Sequence, residues 1–439
     1  MSNITAPSRR GDRPGIVTHR PPPLGGAVLL VPVPETVRPE RLLAALADRP
    51  WPVLARHGDT TVVASDPVET VEGPRAWDVL DTPLDPAGAP APMAGGWIGL
   101  LADGLAGTVE RLPAAPDDPG GPPAAALGRY ESVALVDDAG RCVLATTGGR
   151  AGLRHLEDAV ARMRPVADET PRRAAHPASS FTPGGYRDAV ARIRELIAAG
   201  DCYQVNLTQR LTAPWTGTAP GFAHALWRAA GHAAYRAYLG LPGGVVASAS
   251  PERLLRVRGG VASSEPIKGT APRGATDLAA RPKDRAEHVM IVDLVRNDLG
   301  RVARPGGVRV ARLMHRLETA YVDHLVSEVV ADLAPGTTPA AVLRAVFPGG
   351  SVTGAPKVRA LEVIRDIEPV SRGPAFGSVV CVGRDGSVDA GITIRTAWLA
   401  GGEARYWCGG AVVWDSDPEA ERLEAWAKAA PFLRAIGAA

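Results

Sequence analysis

Cysteine is scarce in this chain. Cys142, Cys202, Cys381 and Cys408 are spread over 439 positions, with no C-x-x-C pair and no histidine-rich tract beside them. That spacing gives neither a disulfide framework nor a zinc pattern, and it reads as reduced thiols in a cytosolic protein. An excess of either charge is also missing. The 49 Lys and Arg residues stand against 47 Asp and Glu, for a formal net charge of +2. Such balance gives no support for nucleic acid or an anionic membrane as partner. The basic pairs Arg9-Arg10 and Arg172-Arg173 fall in loop-like sequence. No apolar run approaches the roughly 18 residues a membrane helix needs. The first residues carry charge but lack the apolar core and cleavage site of a secretory leader. The expectation is a soluble, cytoplasmic protein.

What is present is more chain than one hydrophobic core usually supports. Residues 1–25 are polar and Pro-rich and are expected to be disordered or extended. A β-rich N-terminal subdomain is expected over 26–165, its short apolar runs separated by Pro- and Gly-dense breaks at 82–95 and 112–123. It closes on a helix at 153–164. The polar segment 166–181, with Pro171 and Pro177, reads as a linker, and 182–437 as the catalytic domain.

That second part opens on Thr182-Pro183, an N-cap followed by proline at the first helical position. Tyr186, Val190, Ile193 and Ile197 recur at helical spacing until Gly200. The stretch 203–211 alternates and puts Gln204, Asn206, Thr208 and Arg210 on one face. That face is either solvated or lines a polar cavity. Gly243-Gly244 and Gly259-Gly260 supply hairpin turns between further strands. Helices are expected at 284–299, 339–346 and 357–367, and strands at 320–330, 377–383, 388–399 and 404–413. A last helix runs from 416 to 436, with Ser416 and Glu419 at capping-box spacing. Hairpin runs with helices between them give an α+β fold with largely antiparallel sheets.

Several residues could carry chemistry. Lys268, between Ile267 and Gly269, is an odd choice for a plain surface turn; a lysine becomes a nucleophile when burial or nearby charge lowers its pKa. Glu252 precedes it by one hairpin, so one sheet can present both. Glu421 and Glu424 share a helix face, and Glu287 lies beside the apolar run 289–292. These are either solvated helix carboxylates or hard oxygen ligands. Arg395, in the middle of the expected 388–399 strand, calls for an anion. Lys428 pairs with Glu424 at i,i+4 or binds a carboxylate. His324 is either a satisfied core histidine or an acid–base group.

S-P-E-R at 250–253, P-I-K-G-T at 266–270 and the stretch 286–301 resemble the chorismate-utilising enzymes. So do F-P-G-G-S-V-T-G-A-P-K-V-R-A at 347–360, I-T-I-R-T at 392–396 and G-G-A-V-V-W-D-S-D-P-E at 409–419, all in the family's order. The resemblance implies two packed, largely antiparallel sheets with helices outside, an anthranilate synthase component I-like fold, and a site in the cleft. It implies Lys268 and Glu252 as catalytic nucleophile and acid, with His324 near the departing groups. Glu287 and Glu424 would be direct Mg2+ ligands, and Glu421 and Asp284 would act through water. Arg395, Gly354, Ala355, Ser351, Gly410, Lys428 and Gln204 would bind substrate.

Lysine in P-I-K-G-T marks the branch that makes 4-amino-4-deoxychorismate from chorismate and ammonia, for p-aminobenzoate and folate or a specialised pathway. Gln204 stands where hydroxyl-adding relatives carry a water-activating lysine, which a neutral amide cannot replace. With no glycine-flanked thiol for glutamine hydrolysis, a separate glutamine amidotransferase partner is implied. The anthranilate and the isochorismate or salicylate branches are the enzyme alternatives, and an inactive regulatory homologue is the alternative of another class. The chain departs from the family at Ala375, Ala411, Trp414 and Ala425. Ala234-Tyr235-Arg236 replaces its tryptophan-pocket motif, and no L-L-E-S-like segment is found.

Overall fold

A computed structural model describes residues 28–82, 93–166, 176–231, 233–274, 282–318 and 322–438, apart from the side chains at 270–272, 282–284 and 322. The expected extended N-terminus, most of the linker and the side chain of Asp284 lie outside the described residues.

Short alternating runs joined by glycine turns build two large sheets, one of twelve strands and one of ten. Their pairings are antiparallel. The boundary at 166–181 divides the sequence but not the sheets. In the first sheet Val53–His57 pairs with Tyr235–Leu241; in the second Gly96–Leu101 pairs with Ser378–Gly383. Both parts of the chain therefore close one core, in which Trp97, Leu100, Val380, Trp398 and Trp407 are buried between the sheets. A second cluster lies under the outer helices, where Tyr406 and Phe432 stack with ring centroids 4.8 Å apart.

Two expected elements are divided. The run read as one strand over 388–399 is two: Val388–Ile392 belongs to the ten-stranded sheet and Thr396–Ala400 to the twelve-stranded one. The chain changes sheets at 393–395, and Arg395 adopts a left-handed φ of 50°. Both strands are buried on both faces, so the pattern of side chains carries no mark of a change of sheet. The last helix is likewise two, Pro418–Ala427 and Ala430–Ala435. Its cap is Asp417, whose carboxylate accepts from the N–H groups of Glu419 and Ala420. Ser416 Oγ instead donates to Glu421 Oε1 at 2.7 Å, so the pattern is not a capping box.

The helices Pro282–Gly300 and Lys357–Ile367 are tied together by Lys357 Nζ, 2.6 Å from Asp298 Oδ2 and buried with it. Removing one partner of such a pair strands a buried charge. Lys357→Met should therefore lower stability by about 3–5 kcal/mol. The double variant with Asp298→Leu should recover much of the loss. Equal urea midpoints for wild type and single variant would refute a role for the pair.

Candidate active site

A cavity of about 580 Å³ opens where the two sheets and their flanking helices meet. Lys268, Glu252, His324, Glu287, Glu421, Glu424, Arg395, Ser351 and Lys428 all line it. Lining residues as far apart in sequence as Asn206 and Lys428 are thereby brought together.

The P-I-K-G-T stretch is not a tight turn. Ile267–Pro272 is an edge strand paired with Val322–Leu333, and the register slips by one between Lys268↔Leu325 and Thr270↔His324. Gly269 is the extra residue, with φ 71°, a conformation that glycine adopts without strain. A bulge re-aims the side chain beside it, and here it accompanies a lysine that faces the cavity. Burial pushes the Lys268 ammonium below the usual lysine pKa, and Lys428 adds to the shift; Glu287, Glu252 and Glu424 oppose it. Glu252, which immediately precedes strand Arg253–Arg258, is almost fully enclosed. Burial raises its carboxyl pKa against the Ser351 hydroxyl, Lys268 and Arg395, and its Oε1 has no hydrogen-bond partner. The acid is held toward its neutral form and so is the amine. That pairing suits proton donation beside nucleophilic attack.

Arg395 sits at the sheet-to-sheet crossover and lines the cavity. A guanidinium in such a place can pair with an anion. Over the opposite wall, Gly410 makes room for helix Pro418–Ala427. A Cβ at Gly410 would lie 3.2 Å from Glu421 Oε2, 3.5 Å from Lys428 Nζ and 3.6 Å from Glu424 Oε1. The two carboxylates thus converge on one point, and their hard oxygens suit Mg2+. Among the described residues no three ligand-type side chains stand close enough to hold an ion as they are. Lys428 Nζ, 2.7 Å from Glu424 Oε1 and 3.0 Å from the Gly409 carbonyl, neutralises that carboxylate instead. The i,i+4 pair and a place on the cavity wall are both realised for Lys428.

Three expected substrate-binding positions stand just behind the wall. Gln204 pairs with Ala355 and Val205 with Gly354, and the Gln204 side chain is wholly buried with neither amide atom hydrogen-bonded. Asn206, two residues on along the same polar face, reaches the cavity. Of the four departures only Ala411 lines the cavity; Trp414 is 60% exposed, and Ala375 and Ala425 are buried beyond it. Arg236 turns away and lies 5.7 Å over the ring of Trp227.

Sequence reasoning missed the group that shapes the floor. Arg372, 2% exposed, donates to the carbonyls of Asn206 (2.6 Å) and Val352 (2.9 Å) and to both oxygens of Glu368. Its guanidinium also lies 4.8 Å over Phe376. Asn206, Val352 and Phe376 all line the cavity. The only hint in the sequence is an arginine within the proline-bounded loop after helix 357–367. Tyr406, Trp407 and Cys408 on strand Glu403–Val412 complete the wall.

The raised Glu252 pKa has a consequence for stability. A carboxyl whose folded pKa exceeds its unfolded value favours folding below the unfolded pKa, and that contribution is lost as pH rises through the folded pKa. Glu252→Gln, which cannot ionise, should therefore raise the urea midpoint at pH 8 and leave it nearly unchanged at pH 4. An equal change at both pH values would show that the carboxyl is not held neutral.

A family model described as chorismate binding enzyme matches residues 46–434. The aminodeoxychorismate synthase component 1 of Klebsiella aerogenes is 38% identical over 408 residues, covering 88% of this chain and 89% of that protein. The anthranilate synthase component 1 of Streptomyces coelicolor is also 38% identical, over 403 residues, covering 84% and 77%. Among solved structures, anthranilate synthase component I from Streptococcus pneumoniae superposes with a TM-score of 0.72 at 25% identity, over 96% of this chain and 94% of that one.

Proposed function

The chain belongs to the chorismate-binding enzyme family, and we propose that within it the protein is the ammonia-using component of an aminodeoxychorismate synthase. It converts chorismate and ammonia to 4-amino-4-deoxychorismate, for p-aminobenzoate and folate or a specialised pathway. The observation that carries this reading is Lys268, brought by a glycine bulge into the cavity beside a neutral-leaning Glu252.

In the proposed sequence the neutral Lys268 amine attacks C2 of chorismate. Both ring double bonds shift, C1=C2 to C1=C6 and C5=C6 to C4=C5, and the C4 hydroxyl leaves as water with the Glu252 proton. Ammonia then adds at C4 and both double bonds return. The C2–N bond breaks so that Lys268 leaves as neutral amine, and the new C4 ammonium returns a proton to Glu252. Arg395 holds the enolpyruvyl carboxylate through charge-assisted hydrogen bonds. His324 stands near the departing hydroxyl. A Mg2+ ion would be held by Glu287 and Glu424, with Glu421 and Asp284 acting through water, and would supply positive charge to the ring carboxylate. Preorganised charges of this kind lower the barrier without reorganisation during the reaction.

The nitrogen source follows from the thiols. All four cysteines are buried. Burial pushes Cys142 and Cys408 up to about 12 and raises Cys202 and Cys381 as well. None has the low pKa that a glutaminase nucleophile needs, which supports a separate glutamine amidotransferase subunit as ammonia donor. Anthranilate synthesis is the second reading, because relatives of both names are equally similar.

Incubation of the chain with chorismate, Mg2+ and ammonium salt at pH 8–9 should give 4-amino-4-deoxychorismate and no glutamine-dependent product. Anthranilate or isochorismate as the product would replace the assignment. Lys268→Ala should lose roughly 100-fold or more in rate, several kcal/mol in the barrier. Wild type stalled without ammonia should carry a chorismate-derived adduct on the Lys268 peptide. An unmodified peptide together with a near-normal variant rate would remove the covalent role.

The metal assignment has its own check. Glu424→Gln should keep the fold and abolish Mg2+-dependent turnover, and full activity in EDTA would dismiss the ion.

A further inference from the structure

Behind the active site lies a second cavity, of about 310 Å³, at the lower end of the roughly 300–1,000 Å³ range for small-ligand clefts. It is walled by rings. His176 and Trp426 lie 5.1 Å apart, and Phe181 meets Tyr186 edge-on at 5.7 Å. Its polar lining is rich in donors. Gln209 is 2% exposed; its Oε1 accepts from Ser179 Oγ at 2.7 Å, while Nε2 is enclosed with only the Cys408 thiol beside it. Arg422 contributes a guanidinium anchored on Glu419. Helix Pro183–Ala198 begins at the same wall, its first turn capped by Thr182. Among the described residues no carboxylate lines the cavity, so an ammonium would find no counter-charge from them there. A flat ring would find stacking partners, and an acidic group would find N–H donors and the positive end of a helix.

The two cavities share their supports. On helix Pro418–Ala427, Arg422 and Trp426 face this cavity, while Glu421 and Glu424 face the active site, as does Lys428 just beyond the helix. Gln209 pairs in register with Cys408, which lines the active-site cavity from the neighbouring strand.

We propose that this cavity is a second site, taking a small one-ring aromatic carboxylate, and that its occupancy shifts helix Pro418–Ala427 and so lowers turnover. The proposal goes beyond the reaction assigned above and does not depend on which product that reaction yields. An aromatic carboxylate is the chemical class that forms when a chorismate-type ring loses its side chain, so the site would sense material downstream.

The test uses the full chain with benzoate and 4-hydroxybenzoate as probes and benzylamine as the cationic control. Calorimetry with saturating chorismate, in the absence of ammonia, should show both acids binding and benzylamine not binding. Trp426→Ala and Gln209→Leu should each weaken binding about tenfold or more, with uninhibited kcat kept within about threefold. Inhibition should lower kcat and leave KM for chorismate unchanged. Should Gln209→Leu fail to fold, Arg422→Gln, altered at the rim, reads the same loss. Binding that chorismate displaces and that the variants do not alter would place the acids in the active site and overturn the proposal. No binding at concentrations on the order of 10 mM, or binding without a change in kcat, would overturn it as well.

Discussion

A guanidinium withdrawn from water must be satisfied entirely by protein, and Arg372 is. Burial works against its charge, but Glu368 beside it outweighs that and holds its pKa above the usual arginine value. Glu368 in turn accepts from both the backbone N–H and the hydroxyl of Thr208. One ion pair therefore joins strand Gln204–Pro214, the loop at Val352 and the ring of Phe376 into a single rigid floor. Networks of this kind cost a great deal when incomplete, because each stranded member remains in a low dielectric. Every cavity group that depends on the position of Asn206 or Val352 depends on this pair.

Above that floor the chemistry is divided by origin. The lysine comes from the ten-stranded sheet, the convergent carboxylates from a helix that covers the twelve-stranded sheet, and Glu252 and Arg395 from two segments that pass between the sheets. A dianionic substrate placed here would touch all three. The strained φ of Arg395 belongs to the same arrangement: non-glycine residues hold such conformations where surrounding structure over-determines them.

Much of this was legible in the sequence. Helices 339–346 and 357–367 appear at their expected bounds, because strong local cues such as the Thr338 cap before Pro339 and the apolar period of 357–367 agree with the tertiary fold. The antiparallel sheets followed from glycine hairpins, and the cavity residues followed from a resemblance carried by ordered motifs. What was not legible depends on partners distant in sequence. Nothing local to 388–399 tells which sheet each half joins. Nothing local to Gly269 distinguishes a turn from a bulge, since that depends on the register against 322–333. Arg372 is an ordinary loop arginine until two carbonyls and a carboxylate surround it. The strand Ala303–Glu318, largely exposed and rich in arginine, lacks the apolar alternation by which strands are read.

The interleaving of strands has a consequence for inheritance and for engineering. Were the polypeptide severed between Thr146 and Pro183, each fragment would carry raw ladder edges belonging to both sheets, and each would expose half of a shared interior. The two fragments are not exchangeable modules: a foreign N-terminal portion would have to match Tyr235–Leu241 and Ser378–Gly383 in register, twist and side-chain volume at once. Diversification of such an architecture proceeds by substitution in place, around a frame that must be kept whole.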